Sequence, residues 1–164
     1  MKKLSLFLFF AITVAFSFAQ TLNLKDFEKL NTVKSPKEYL EKKDFTVKSD
    51  SSSGENFKLR MLNRATREMI YVTVNKDSEG ARSVEVEYFT ESQEEYAKIV
   101  HTVIKSGYKA KGDNRHYDKR PGSYEGYNLV LREMVTIKGK DYYSIKYSYY
   151  AGKELALPAT PAKK

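Results

Sequence analysis

The sequence has no cysteine. That removes a disulfide framework, a thiolate metal site and a cysteine nucleophile together, along with the lipid-attachment cysteine that follows a lipoprotein leader. Histidine is nearly absent, at His101 and His116 alone. No glycine-rich loop opens a helix, as a phosphate cradle requires, and there is no HExxH pair. After Ala19 no apolar run approaches the roughly 20 residues that cross a bilayer as a helix, so no transmembrane segment is expected in the mature chain. Four prolines and eight glycines in 164 residues leave few forced breaks.

What is present begins with MKKLSLFLFFAITVAFSFAQ. Lys2 and Lys3 precede an uncharged stretch from Leu4 to Ala19, and small Ser17 and Ala19 sit where a signal peptidase reads them. Residues 1–19 are therefore expected to be a cleaved signal peptide, with the protein periplasmic or extracellular. Export without disulfides points to a bacterial envelope. The formal charge is +8, falling to +6 once Lys2 and Lys3 are removed. Basic balance favours anionic partners, but the 21 acidic residues are interspersed among the basic ones. That reads as solubility, and no nucleic-acid partner is expected. Residues 153–164, with two prolines and a basic end, read as a disordered tail.

Between these ends the hydrophobic periods alternate. Leu24, Phe27, Leu30 and Val33 predict a helix over about 23–33. Ser35, Pro36 and Glu38 form a capping box that starts a second short helix over 36–43. NFKLRML, EMIYVTVN and SVEVEYF alternate with period two and read as strands, and DFTVK as a further edge strand. ESQEEYAKIVHTVIKSGY is the clearest amphipathic helix, with Tyr96, Ile99, Val100, Val103 and Ile104 as its apolar stripe and Gly107 as its stop.

The pattern then repeats. Ser35 to Tyr39 reads beside Ser92 to Tyr96, KKDFTVKSD beside KSGYKAKGD, Arg67-Glu-Met-Ile70 beside Arg132-Glu-Met-Val135, and SVEVEYF beside SIKYSYY. Four blocks in one order imply two related halves, about 23–90 and 91–152, within a single domain of residues 20–152. The fold class that follows is α+β, an antiparallel sheet with helices packed on one face. The expected core is Phe27, Leu40, Phe57, Leu59, Ile70, Val72, Val84, Val86, Ile99, Val103, Leu129, Leu131, Ile137 and Ile145. This order of helices followed by antiparallel strands, twice over in a small exported chain, resembles the β-lactamase inhibitory protein-like and PepSY-like secreted modules. The resemblance covers most of the mature chain in element order and implies the tandem α+β architecture. It carries over no binding residue.

Candidate chemistry is sparse. His116 lies near Asp113, Asp118 and Ser123 without the spacing of a nucleophile elbow or rigid support. His101 is expected to be a partly buried helix residue. Glu68 and Glu133 occupy matching places in the two Arg-Glu-Met blocks and could pair as acid groups. The segment 109–124, rich in cations and tyrosines, reads either as a long functional loop or as a solvated hairpin with Pro121-Gly122 as its turn. The leading expectation is a non-catalytic exported binding module with no cofactor and no metal. It would present a sheet face and the 109–124 loop to an envelope protein or an anionic glycan. The candidate binding residues are Arg115, Tyr117, Lys119, Arg120, Tyr124, Tyr142, Lys146 and Tyr150. The alternatives are a small secreted hydrolase using Glu68 and Glu133 or His116, and a purely structural envelope component.

Overall fold

The computed structural model describes residues 21–53, 56–78, 80–121 and 125–151. The expected signal peptide (1–19), the expected tail (153–164) and Tyr124 lie outside the described residues. Two short helices, α1 (Leu24–Leu30) and α2 (Pro36–Glu41), lead into β1 (Thr46–Ser53), β2 (Asn56–Asn63), β3 (Glu68–Lys76) and β4 (Arg82–Thr90). Helix α3 (Gln93–Lys105) then leads into β5 (Lys109–Lys111), β6 (Asp113–Lys119), β7 (Glu125–Ile137) and β8 (Lys140–Ala151). All eight strands form one antiparallel sheet in the order β1-β2-β3-β4-β8-β7-β6-β5. The fold is α+β, as the sequence pattern implies.

Period-two alternation decides which side chains meet the helices. Leu59, Met61, Ile70, Val72, Val74, Val84, Val86 and Tyr88 point to one face, joined by Leu129, Leu131, Ile145 and Tyr147. Against them pack Phe27 and Leu30 of α1, Leu40 of α2, and Tyr96, Ile99 and Val103 of α3. The α3 contacts are spaced three and four residues apart, the helical repeat that makes one stripe. Val100 is half-buried, and Ile104 is 68% exposed because it lies off that stripe. Phe27 stands at the centre, its ring 5.5 Å from Tyr88 and 6.3 Å from Tyr147.

The helix ends are specified locally. Asn23 caps α1 and Asp26 returns the bond to the Asn23 N–H at 2.8 Å. Asp26 also accepts from the Tyr39 hydroxyl at 2.6 Å and pairs with Lys43 at 2.9 Å, which ties α1 to α2. Ser35 and Ser92 cap α2 and α3 by accepting from Glu38 N–H and Glu95 N–H, at 3.3 and 3.2 Å. Both helices stop in the same way. Phe45 N–H reaches back to the Leu40 carbonyl and Tyr108 N–H to that of Val103, while Asp44 and Gly107 hold the left-handed conformation at φ 64° and 85°. Helix α3 is longer than α2, yet the flanking motifs coincide.

The strands repeat too. Strands β4 and β8 pair at the middle of the sheet, with Val86 opposite Tyr147. Those two residues are also partners in the SVEVEYF/SIKYSYY alignment, so the halves are related by a twofold axis through that pair. The same ladder corrects the Arg-Glu-Met match. Val72 lies opposite Val86 and Leu129 opposite Tyr147. Glu68 therefore corresponds in position to Glu125, and Glu133 to Lys76.

Two further expectations change. The 109–124 segment is a hairpin for most of its length: β5 and β6 are the edge pair that mirrors β1 and β2, not a loop grafted on the second half. Ile137 is only half-buried. Between Arg132 and Val135 a bulge inserts one extra residue opposite Tyr143. It reverses the alternation and turns Val135 and Ile137 to the face away from the helices. Phe57 is also half-buried, packing at the margin of the core near the edge strand.

Candidate functional site

The eight candidate binding residues do not form one surface. Tyr142, Lys146 and Tyr150 stand on the helix-free face, whereas Arg115, Tyr117 and Lys119 alternate onto the helix-bearing face. Tyr117 is buried at 7% exposure, its hydroxyl donating to the Asn114 carbonyl at 3.1 Å. Lys119 is held inside the protein: its ammonium pairs with Glu28 of α1 at 3.0 Å and lies over the rings of Tyr108 and Tyr127. Arg120 pairs with Asp118 at 3.7 Å. Tyr142 is also buried, edge-on to Phe89 at 6.3 Å, and Phe89 in turn packs on Tyr71 at 5.2 Å. Lys146 crosses to Glu85 and Arg132 to Glu87, each at 3.5 Å. The helix-free face is thus polar and ion-paired at its centre, with a self-covered aromatic cluster at one end. That is the pattern of an antiparallel sheet with one wet side.

Glu68 is fully buried, accepting the Tyr88 hydroxyl at 2.6 Å on one oxygen while the other has no partner. Burial pushes its carboxyl above the ordinary range, against the lowering effect of the Tyr88 bond. Glu133 is exposed. Strands β4 and β8 stand between β3 and β7, which at about 4.8 Å per strand separates the two carboxylates by about 14 Å. A glycosidase pair needs about 5–9.5 Å, so these two do not act as one. His116 is exposed and meets only Asp113, at 2.7 Å. Asp118 is taken by Lys111 and Arg120, and Ser123 lies outside the described residues. His101 is exposed, a correction to its expected partial burial; it accepts from Lys105 at 3.0 Å in one tautomer. Among the described residues no three His, Asp or Glu side chains group to hold a metal ion. No helix among them is long and apolar enough to cross a membrane.

The structure brings a different set together. A cleft of about 440 Å³ opens between α3 and the β7–β8 hairpin, lined by Gln93, Tyr96, Ala97, Val100 and His101 on one side and Glu133, Met134 and Tyr143 on the other. Its size lies within the roughly 300–1,000 Å³ usual for ligand pockets. The bulge builds its outer wall. By inserting one residue it aims both Glu133 and Met134 at α3 rather than at opposite faces. Met134 takes φ 61°, a left-handed conformation that a long side chain rarely adopts. It is 64% exposed, and with Ile104 it makes up the exposed large hydrophobics among the described residues. Ile104 is one turn beyond Val100 on the stripe of α3 that also holds Gln93 and Ala97, so it continues the α3 side of the cleft just past the lining residues.

The cleft floor is aromatic. Tyr96 and Tyr143 pack with ring centroids 5.0 Å apart and planes 31° from parallel. Burial pushes the Tyr96 hydroxyl up to about 12, with the Glu133 charge adding to it and that of Arg115 opposing. Of the eight candidates, Arg115 and Tyr117 are close enough to act on the Tyr96 hydroxyl, and neither lines the cleft. Among the described residues Glu133 has no hydrogen bond or ion pair. The sequence signal for this site was weak: the odd-numbered apolar series Leu129, Leu131, Val135 and Ile137 is broken only by Glu133, at the bulge, and resumes in the same phase, so a single polar residue is all that marks the insertion.

No family model, curated protein or solved structure matches the chain.

Proposed function

We propose that the chain is an exported, non-catalytic binding module that recognises an envelope protein through the cleft between α3 and the β7–β8 hairpin. The observation that carries this reading is the exposed Met134 on the cleft wall, with exposed Ile104 one helical turn beyond the lining residue Val100. Large exposed side chains that cluster mark interaction sites, whereas scattered ones carry no meaning. The strained backbone at Met134 points the same way, because such outliers collect at functional positions. Support for a non-catalytic role is the separation of Glu68 from Glu133 and the single partner of His116. Export rests on the N-terminal sequence, and cell fractionation tests it.

The binding claim is tested by capture from an envelope extract with wild type, Ile104→Glu, Met134→Glu and, on the helix-free face, Thr73→Glu. A protein held by wild type and Thr73→Glu but released by the other two supports the reading. A protein retained by all four, or none captured, contradicts it. A second reading, an anionic glycan on the helix-free face, is favoured by Lys58, Arg60, Arg132 and Lys146 standing there against Glu85 and Glu87. Salt-sensitive retention on heparin that Lys58→Glu and Arg60→Glu abolish would support it; retention unchanged in those variants would not.

A further inference from the structure

The composition of the cleft narrows what it can hold. Its carboxylate, Glu133, sits in a wall otherwise made of Met134 and Tyr143. The carboxylates elsewhere on the helices and strands are mostly committed: Glu28 to Lys119, Glu85 to Lys146, Glu87 to Arg132, Glu94 and Glu95 to Lys98. Glu133 is left without a cation, beside two tyrosine rings. A carboxylate next to stacked aromatic faces suits a planar cation that can stack and donate two parallel hydrogen bonds at once, and a guanidinium does both. Apolar Val100, Met134 and Ile104 on either side suit apolar neighbours of that cation.

We infer that the cleft takes a single arginine side chain, presented between apolar residues of the partner protein, with the guanidinium on Glu133 and against the Tyr96–Tyr143 pair. This rests on the cleft being the binding site. The surrounding charges set its selectivity. The Arg115 charge acts on Tyr96 of the cleft floor, and Lys105 stands beside the lining residue His101. A run of basic residues would meet these cations and be repelled, so one arginine among apolar residues is preferred to a polybasic segment. Lysine can neutralise Glu133 but lacks the planar fork, and it binds less well.

The test uses the mature chain and two peptides, acetyl-Leu-Arg-Leu-amide and its citrulline counterpart, which keeps the shape and loses the charge. Amide NMR shifts report where each binds. The arginine peptide is expected to shift residues 96–100, 133–134 and 143, and to bind at least about tenfold more tightly than the citrulline peptide, the scale of a charge-assisted hydrogen bond. Glu133→Gln should erase that difference while leaving the spectrum elsewhere unchanged. Equal binding of the two peptides in wild type would overturn the inference and leave the apolar docking reading intact. Shifts from neither peptide would also overturn it, and the Ile104-dependent capture then decides the docking reading separately.

Discussion

Replacing Met134 with glycine separates stability from function at one residue. Met134 sits at φ 61°, a conformation that costs a residue with a Cβ about 1–2 kcal/mol. Glycine removes that strain but gives up about 0.5–1 kcal/mol through its freer unfolded state. Little packing is lost, since the side chain is 64% exposed. The balance is a change between zero and about 1.5 kcal/mol in favour of the variant, which for a domain of this size moves the melting temperature up by at most about 3–6 °C. Urea unfolding followed by far-ultraviolet circular dichroism measures it, with the slope expected to be unchanged. Partner capture by the same variant should fall sharply, because half of the exposed apolar pair is gone. A loss of stability beyond about 1 kcal/mol would make Met134 an ordinary packing residue, typical of a destabilising substitution, and would refute the claim that the strain is maintained for binding. So would capture at the wild-type level.

Other perturbations reach the rest of the fold. Asp44 and Gly107 end α2 and α3 in the same left-handed conformation; Asp44→Gly should stabilise by at most about 1 kcal/mol and Gly107→Ala destabilise by about 1 kcal/mol or more, read by thermal unfolding. A Cβ at Gly107 would meet nothing within 4 Å, so backbone strain alone is measured there. The Glu68 carboxyl is raised by burial, so its native state binds the proton more tightly than the unfolded chain. Its stabilising contribution is present at low pH and lost as pH rises from the ordinary carboxylate range through the folded value, each tenfold difference in proton affinity being worth about 1.4 kcal/mol. Unfolding of Glu68→Gln should show a smaller decline over that window; the same pH slope as wild type would contradict the assignment. Asp26→Ala leaves Lys43 and the Tyr39 hydroxyl without their partner in a largely buried setting. It should cost about 3–5 kcal/mol; a loss under 1 kcal/mol in urea titration would show that the knot between α1 and α2 is dispensable.

The parts of the fold that were legible in the sequence are those with strong local periodicity. Both serine caps, the left-handed stop at Gly107, and the alternation of β2, β3 and β4 are written in short blocks, and the antiparallel sheet follows from them. The alignment of SVEVEYF with SIKYSYY makes Val86 and Tyr147 equivalent positions, but that the two strands pair at the seam comes from the β4–β8 ladder alone. The Arg-Glu-Met repeat misled because similar tripeptides fall at different depths along β3 and β7. A hairpin near Pro121-Gly122 was one of the two readings of 109–124, but the β5–β6 edge pair was hidden because KAK and DNRHYDK are polar strands with little apolar content to betray them.

The candidate site was the least legible part, for one physical reason. It depends on a single inserted residue in β7, and a bulge reverses which face a side chain meets without altering the apolar pattern around it. Glu133 was noticed as a carboxylate but placed beside the wrong counterpart. Ile104 was counted in the apolar stripe of α3, where one residue of helical phase separates burial from exposure.

The central claim, that the cleft bordered by Ile104 and Met134 contacts a protein partner, is tested most directly by photo-crosslinking in the producing cell. A photoreactive amino acid would replace Ile104 in one variant and Thr73, on the helix-free face, in another. The account predicts a discrete crosslinked species from position 104 and none from position 73. No product at 104, or the same products from both positions, would contradict it.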